Sequence, residues 1–339
     1  MTDLQNARTI LETTATESVP HALEISNLES NRIDPKFLYI TLRQAELWRQ
    51  VSLRHSPIHG NPEFVRVYRE AFGKILDQFC AEKISLVGLG CGTGAKELEL
   101  FSTLKVRGRA AVFSAVDVSR ELVSESAQKL EAMGADLGQS MVCDLARTPL
   151  LAEWLDRQNP QLPRLMTFFG LVPNLMPLDV ARIFHTLLRP GDALLVSVHL
   201  APVHGDEAEN LPTAMGSVLP QYDNPETLAW LTAALENWDL TEYIHAPKMS
   251  IGQVNEIPAF LAYARWKSSE PFEKWSHRFF PDPKKPLRLF YSLRYTPSLF
   301  EDFLRREGFS FERLAITACR QEAIWLVRWG GDVPTAANV

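Results

Sequence analysis

Along the first two thirds of the chain, short uninterrupted apolar runs alternate with stretches whose apolar residues recur every three or four positions. From Pro62, a residue suited to the first turn of a helix, Phe64, Val65, Tyr68, Phe72, Ile75 and Leu76 follow at helical spacing to about Ala81. Ile84 to Val87 is a short apolar run ending in glycines, the pattern of a strand buried on both faces. Further strands are predicted at Ala110 to Val118, Ser140 to Cys143, Leu165 to Phe169 and Ala193 to Leu200. Helices are predicted at Ala95 to Leu104, Glu121 to Met133, Thr148 to Gln158 and Leu178 to Leu188, the last stopped by Pro190-Gly191. Repeated β-α units of this kind predict an α/β fold with a doubly wound, parallel sheet.

After Leu200 the pattern is less regular. It carries a helix from about Pro225 to Leu240, a strand from Ala259 to Trp266, and several prolines. Leu287 to Tyr295 reads as another strand and Pro297 to Glu307 as an amphipathic helix ending at Gly308. Phe309 to Thr317 and Glu322 to Trp329 read as a closing strand pair. The expected division is residues 1–60 as an N-terminal segment lining a substrate pocket, 61–204 as a cofactor-binding core, 205–285 as an inserted substrate-binding region, 286–330 as C-terminal strands completing the sheet, and 331–339 as a tail. Residues 1–30 are polar and weakly patterned, as a loosely docked segment would be.

The first strand runs straight into Gly88-Leu89-Gly90-Cys91-Gly92-Thr93-Gly94 and then into a helix. Glycines there let the backbone turn sharply and lie against a ligand, which then meets the helix N-terminus. The alternating spacing fits the loop of class I S-adenosylmethionine (SAM)-dependent methyltransferases better than the dinucleotide pattern G-x-G-x-x-G, although Gly90, Gly92 and Ala95 partly imitate the latter. A Rossmann oxidoreductase is therefore a competing reading. Asp117 ends the second strand, 23 residues after Gly94, where a carboxylate accepts hydrogen bonds from ribose hydroxyls; a role as a helix cap is the alternative. Asp144 ends the third strand, where this fold class meets the adenine amino group, with Leu145 against the ring. Many SAM enzymes carry an acidic residue where this chain has Gly88. The expected cofactor contacts are Gly88, Gly90, Gly92, Thr93, Lys96, Asp117, Asp144, Leu145 and Gly170.

The fourth strand ends in Gly170, which lets a ligand approach the backbone, and Asn174 follows in a loop over the expected position of the transferable methyl. Such an amide can hold a substrate carboxylate or amine, or cap the next helix. Nucleic-acid amino-methyltransferases place N/D-P-P-Y/F here, and this chain does not.

Composition narrows the partners. Hydrophobic residues make up 46% and charged residues 22% of the 339, enough for a large core. A net charge of −6 supplies no basic face for nucleic acid. No apolar run approaches a membrane span and the polar N-terminus lacks a signal-peptide pattern, so neither membrane nor export is expected. The four cysteines, Cys80, Cys91, Cys143 and Cys319, have no metal-type spacing; this predicts a reduced, cytoplasmic protein without a bound metal.

Several motifs in order resemble those of the histidine Nα-methyltransferases of the ergothioneine pathway, relatives of the fungal dimethylallyl-tryptophan N-methyltransferase. The family's G-S-G-T-S-E-K is similar to Gly90 through Lys96, its F-D-V-D to Val116 through Ser119, and its F-L-G-(S/G)-T-I-G-N-L-T-P to Phe168 through Pro177 with one residue fewer. Its Y-D-D resembles Tyr222-Asp223-Asn224, its K-W-F-Y resembles Lys36 through Tyr39, and its E-x-S-x-K-F resembles Phe290 through Tyr295. The resemblance implies a class I SAM-methyltransferase fold and SAM-dependent methylation of the amine of an amino acid or a small molecule derived from one. It further implies that Asn174 and Tyr222 hold the substrate's carboxylate and amine, that Tyr39 lines the same pocket, and that Ser292 sits at the side-chain end. Two departures matter. Phe290 stands where the family's imidazole-binding glutamate does, so histidine itself is not expected as the preferred substrate. The P-E-Y-Y motif is replaced by Ser56-Pro57-Ile58-His59, leaving His55 or His59 as a stand-in base. Transfer to oxygen or carbon of another metabolite, and a non-catalytic SAM-binding partner of a biosynthetic enzyme, are the alternatives.

Overall fold

The computed structural model describes residues 10–12, 31–146, 148–203, 211–237, 239–268 and 282–330. The expected frayed segment at 1–30 lies mostly outside the described residues, and the tail at 331–339 wholly so. In chain order the elements are β1 (Ile10–Glu12), α1 (Leu42–His55), α2 (Pro57–Gly60), α3 (Pro62–Gln78), β2 (Lys83–Leu89), α4 (Ala95–Val106), β3 (Ala110–Asp117), α5 (Arg120–Ala132), β4 (Asp136–Leu137) and β5 (Ser140–Val142). They continue with α6 (Thr148–Arg157), β6 (Arg164–Phe169), α7 (Pro177–Leu187), β7 (Ala193–His199), α8 (Leu211–Val218), α9 (Pro225–Asn237), β8 (Lys248–Val254), β9 (Ile257–Ala264), β10 (Leu287–Leu293), α10 (Pro297–Arg306), β11 (Ser310–Ile316) and β12 (Glu322–Arg328). Single 3-10 turns precede α1 (Pro35–Leu38) and α7 (Val172–Asn174).

The central sheet has the order β1-β5-β3-β2-β6-β7-β12-β11, with β4 also on β3. Its strands are parallel from β1 to β7; β12 runs antiparallel to β7, and β11 antiparallel to β12. This is the class I SAM-methyltransferase arrangement. Apolar residues of α3, α4 and α5, such as Phe72, Leu100 and Val123, cover one face; those of α6, α7 and α10, such as Leu151, Phe184 and Phe300, cover the other. The chain reverses direction across the sheet between β2 and β6, and ligands bind at the strand ends beside such a switch point.

A second, antiparallel sheet has the order β10-β9-β8. This corrects the expectation that residues 286–330 as a whole complete the central sheet: β10 pairs with β9 of the small sheet, and only β11 and β12 close the large one. The small sheet shares a core with the N-terminal segment and α9, in which Phe37, Leu38, Trp230, Leu231, Ala262 and Phe290 pack together. So the segment near residue 35 and the region after residue 225 build one wall of the molecule, although the sequence separates them.

Strand β8 and helix α1 are among the elements that escape the hydrophobic pattern. Strand β8 is an edge strand with mostly exposed or half-buried residues, so it carries no apolar run. Helix α1 buries little of itself and is started by a capping box: the Thr41 hydroxyl accepts from the Gln44 amide at 3.2 Å while the Gln44 side chain accepts from the Thr41 amide at 3.1 Å.

Candidate functional site

A cavity of about 460 Å³ opens at the C-terminal ends of β2, β3, β5 and β6, within the size range of small-molecule pockets. Its lining includes the glycine loop, Lys96, Asp117, Asp144, Leu145, Gly170 and Asn174 from the central domain, Tyr39, Trp48 and His59 from the N-terminal segment, and Tyr222, Phe290 and Ser292 from the region beyond β7.

The loop's conformation explains its glycines. Gly90, Gly92 and Gly94 all have positive φ, at 62°, 52° and 72°, a region costly for residues with a Cβ. A Cβ on Gly90 would lie 2.3 Å from Leu171 Cδ1, and one on Gly92 would lie 2.8 Å from the Trp48 ring. Gly94 starts α4. The Asp117 carboxylate bonds into this loop: Oδ2 accepts from the Gly92 amide at 3.0 Å and Oδ1 from the Ser119 amide at 3.0 Å. Asp117 thus braces the turn that leads into α5, whose N-cap is Ser119, and lines the cavity at once. Burial raises its pKa against the pull of these amides.

Gly88 is a correction. It lies within β2, below the cavity, and is not among the lining residues. A Cβ there would meet Cys91 Cβ at 3.0 Å and Glu97 Cγ at 3.4 Å, so neighbouring side chains stand between it and any ligand. The other expected cofactor residues line the cavity. Like Asp117, Asp144 and Lys96 already have protein partners. Asp144 accepts from Lys36 Nζ at 2.6 Å and from the Ala146 amide at 2.9 Å. Lys96 Nζ lies 3.3 Å from Glu322 Oε1 and 5.0 Å from the centre of the Tyr68 ring.

At the expected substrate end, Phe290 forms an aromatic wall with Trp230 (centroids 5.8 Å apart) and Tyr222 (6.1 Å); Tyr39 joins it through Trp230 at 5.3 Å. Burial, with Asp117 next, raises the pKa of Tyr39 above its ordinary range, so it is a neutral phenol. Ser292 Oγ lies 3.3 Å from the Tyr222 hydroxyl. The Asn174 side chain makes only a long contact, 3.5 Å from Nδ2 to the Gly170 carbonyl, and its Oδ1 is buried without a partner. An unpaired buried acceptor is costly unless something binds it.

Several cavity residues were missed by sequence reasoning, among them Arg294, His199 and Glu97. Arg294, two positions beyond Ser292 and just past the end of β10, is 3% exposed and donates to the Tyr222 hydroxyl. Among the described residues no carboxylate pairs with it, and its Nε has no acceptor. His199 ends β7 with a buried, unpartnered Nδ1. Burial, then the charge of Arg294, pushes its pKa down to about 3, so it is a neutral imidazole at physiological pH. Glu97, in the first turn of α4, is 2% exposed and accepts from Thr167 Oγ1 at 2.7 Å. Of the two histidines considered as stand-in bases, His55 is taken up by Glu226 at 3.0 Å, whereas His59 stands at the cavity rim, its pKa lowered by burial and by Lys129 and Lys96.

The chain's core agrees with a known family. Residues 60–209 match the model of the histidine-specific, SAM-dependent methyltransferases. The core is that of a SAM-dependent methyltransferase, and SAM is its cofactor. The match covers β2 through β7 with the glycine loop, Asp117, Asp144 and Asn174, and it stops before Tyr222 and β10. A stretch of 89 residues, 25% of the chain, is 34% identical to part of the non-reducing polyketide synthase dpmpA of Macrophomina phaseolina (strain MS6). The chain spans about 4% of the length of that curated relative. Solved structures similar to the chain include the magnesium protoporphyrin IX methyltransferase ChlM of Synechocystis PCC 6803 with bound SAH, at 12% identity, covering 85% of this chain and 94% of that one, with a TM-score of 0.41. The CMeT domain of the citrinin polyketide synthase has 13% identity, coverage of 85% and 57%, and a TM-score of 0.45. The CurJ carbon methyltransferase has 14% identity, coverage of 88% and 62%, and a TM-score of 0.46.

The residues present suit SAM: a glycine loop closed to any Cβ, a carboxylate at the end of β3, and a buried acceptor at Asn174. Among the described residues no helix is long and apolar enough to cross a membrane, and no His, Cys, Asp and Glu side chains are grouped to hold a metal ion.

Proposed function

We propose that this protein methylates the amine of a free amino acid, or of a small molecule derived from one, and that histidine is not its preferred substrate. The observation that carries this reading is the presence in one cavity of Arg294, just past the end of β10, and Phe290 within it. A buried guanidinium cannot shed its charge, and burying it without a counter-charge is unfavourable. A substrate carboxylate supplies the missing charge, with the Tyr222 hydroxyl beside it. Two residues past Ser292 in the other direction, Phe290 offers a ring where an imidazole N–H would need an acceptor, and leaving that donor unpaired costs about 1–3 kcal/mol. An apolar or aromatic side chain fits the wall of Phe290, Trp230 and Tyr39 better.

SAM supplies an activated methyl group on a sulfonium centre. The chain's own residues then have to present an uncharged amine in line with it. The unpartnered Asn174 Oδ1 is suited to accept an amine N–H, and Tyr222 with Arg294 to hold the carboxylate. An α-ammonium has a pKa of about 8–9, so a weak base suffices to remove its proton near neutral pH. Expected cofactor contacts are Gly90, Gly92, Thr93, Lys96, Asp117, Asp144, Leu145 and Gly170, with His59 at the substrate-side rim. The setting expected for the enzyme is cytoplasmic small-molecule biosynthesis, without nucleic acid or membrane.

A second reading, transfer to carbon or oxygen, draws on the stretch shared with a polyketide synthase. The two separate in one experiment. Methyl transfer from SAM is measured over free amino acids, their N-acetyl derivatives and acidic carbon acceptors. Turnover of free amino acids that N-acetylation abolishes supports the amine reading. Turnover that survives N-acetylation moves the acceptor atom elsewhere. SAM binding without turnover on any of them favours a regulatory, non-catalytic partner.

A further inference from the structure

The switch point of the sheet lacks the acidic residue that many SAM enzymes carry at the end of the first core strand. Here that position is Gly88, which lies in register with Thr167 on β6. Its place has been filled from the other side. A Cβ on Gly88 would come within 3.4 Å of Glu97 Cγ, because Glu97 leans from α4 across the strand end and accepts from Thr167 Oγ1 at 2.7 Å. Its carboxylate therefore lies over the β2–β6 boundary, and the residue lines the same cavity as Gly90, Gly92 and Asp117.

We propose that Glu97 is the carboxylate that receives the ammonium group at the amino-acid end of the cofactor, in place of the residue missing at position 88. The inference rests on the cofactor being SAM and adds one residue to its binding site.

A carboxylate in the first turn of a helix gains from the helix dipole while water still solvates it. Glu97 is 2% exposed, so that water is gone. Among the described residues no Lys, Arg or His forms an ion pair with it; the neighbouring Lys96 is directed to Glu322 instead. Burial raises the Glu97 pKa, as expected of a desolvated acid waiting for a counter-charge. A bound ammonium supplies that charge and returns the group to its ionised form.

The test compares S-adenosylhomocysteine with 5′-methylthioadenosine, which keeps the adenosine and sulfur but lacks the amino-acid end. Both are titrated calorimetrically into the wild type and Glu97→Gln, whose amide can still accept from Thr167. The expected result is an affinity for S-adenosylhomocysteine roughly 10- to 100-fold weaker in the variant, with 5′-methylthioadenosine unchanged, which also shows that the variant is folded. If the variant binds neither, the wild type decides. Its preference for S-adenosylhomocysteine over 5′-methylthioadenosine is expected to fall as the pH is lowered and Glu97 takes up a proton. An unchanged affinity of Glu97→Gln for S-adenosylhomocysteine overturns the proposal. So does a preference independent of pH in the case where the variant binds neither ligand. A wild type that binds neither ligand overturns the cofactor reading itself.

Discussion

Arg294 lies over the ring of Tyr222, its guanidinium carbon 5.2 Å from the ring centre, and donates a hydrogen bond to the Tyr222 hydroxyl. A second ring, Phe260, lies 4.9 Å from the same guanidinium. Aromatic faces stabilise the cation in part, but no carboxylate completes the site among the described residues. On the proposed function, Arg294 is the residue that receives the substrate's carboxylate.

Arg294→Gln is therefore expected to raise the KM for a carboxylate-bearing substrate by roughly 30- to 100-fold, on the order of 2–3 kcal/mol for one charged hydrogen-bonded pair. SAM affinity stays near the wild-type value. The same substrate as its carboxamide should be handled almost equally by the wild type and the variant. Steady-state kinetics with the acid and amide pair gives the answer, and equal losses on both would remove charge recognition from Arg294.

Phe290→Glu places an acceptor where an imidazole N–H needs one. Relative kcat/KM for histidine over phenylalanine is expected to rise by at least tenfold, from about 1.4 kcal/mol or more of recovered hydrogen bonding. The variant should also be less stable, because a carboxylate replaces a 5% exposed ring beside Trp230. Competition between the two amino acids in one reaction measures the switch.

In the glycine loop, Gly90→Ala forces a Cβ into a left-handed backbone and against Leu171. The conformational part costs about 1–2 kcal/mol, and the 2.3 Å approach to Leu171 Cδ1 adds to it. Adding Leu171→Ala should recover the steric part only. Urea denaturation of both variants separates the two, and a single variant as stable as wild type would mean that the loop is not held in this conformation.

The β-α repeats and the glycine loop were legible because buried parallel strands and a sharp strand-to-helix turn leave local signatures. Asp117 was legible as a carboxylate at a strand end, and both of its oxygens bond backbone amides there. Position 88 misled, since a motif names a position and not the side chain that reaches it; Glu97 fills that space from nine residues further on. Arg294 follows β10 of the small sheet and His199 ends β7 of the large one; they meet where Tyr295 bridges to Leu200, which no local pattern records. The edge strand β8 has too little buried surface to write an apolar run.

His199 makes the protein acid-sensitive. Its folded pKa, about 3, lies below the ordinary value near 6.5, so the folded state binds fewer protons than the unfolded one. Stability is thus undiminished by this group above pH 6.5 and falls by up to about 1.4 kcal/mol per unit between there and pH 3. Glu97 and Asp117, whose pKa values are raised, act in the opposite direction over the lower part of that range. Comparing wild type with His199→Gln by urea denaturation at pH 7.5 and 5.5 isolates the histidine: the variant should lose less stability on acidification, and an identical loss would remove His199 as the cause.

The most direct test of the whole account is calorimetric titration of SAM into the wild type and into Asp117→Ala. One site per chain with micromolar affinity, weakened at least tenfold in the variant, is the expected result. No heat of binding in the wild type, or equal affinity in both, would contradict the assignment of this cavity to SAM.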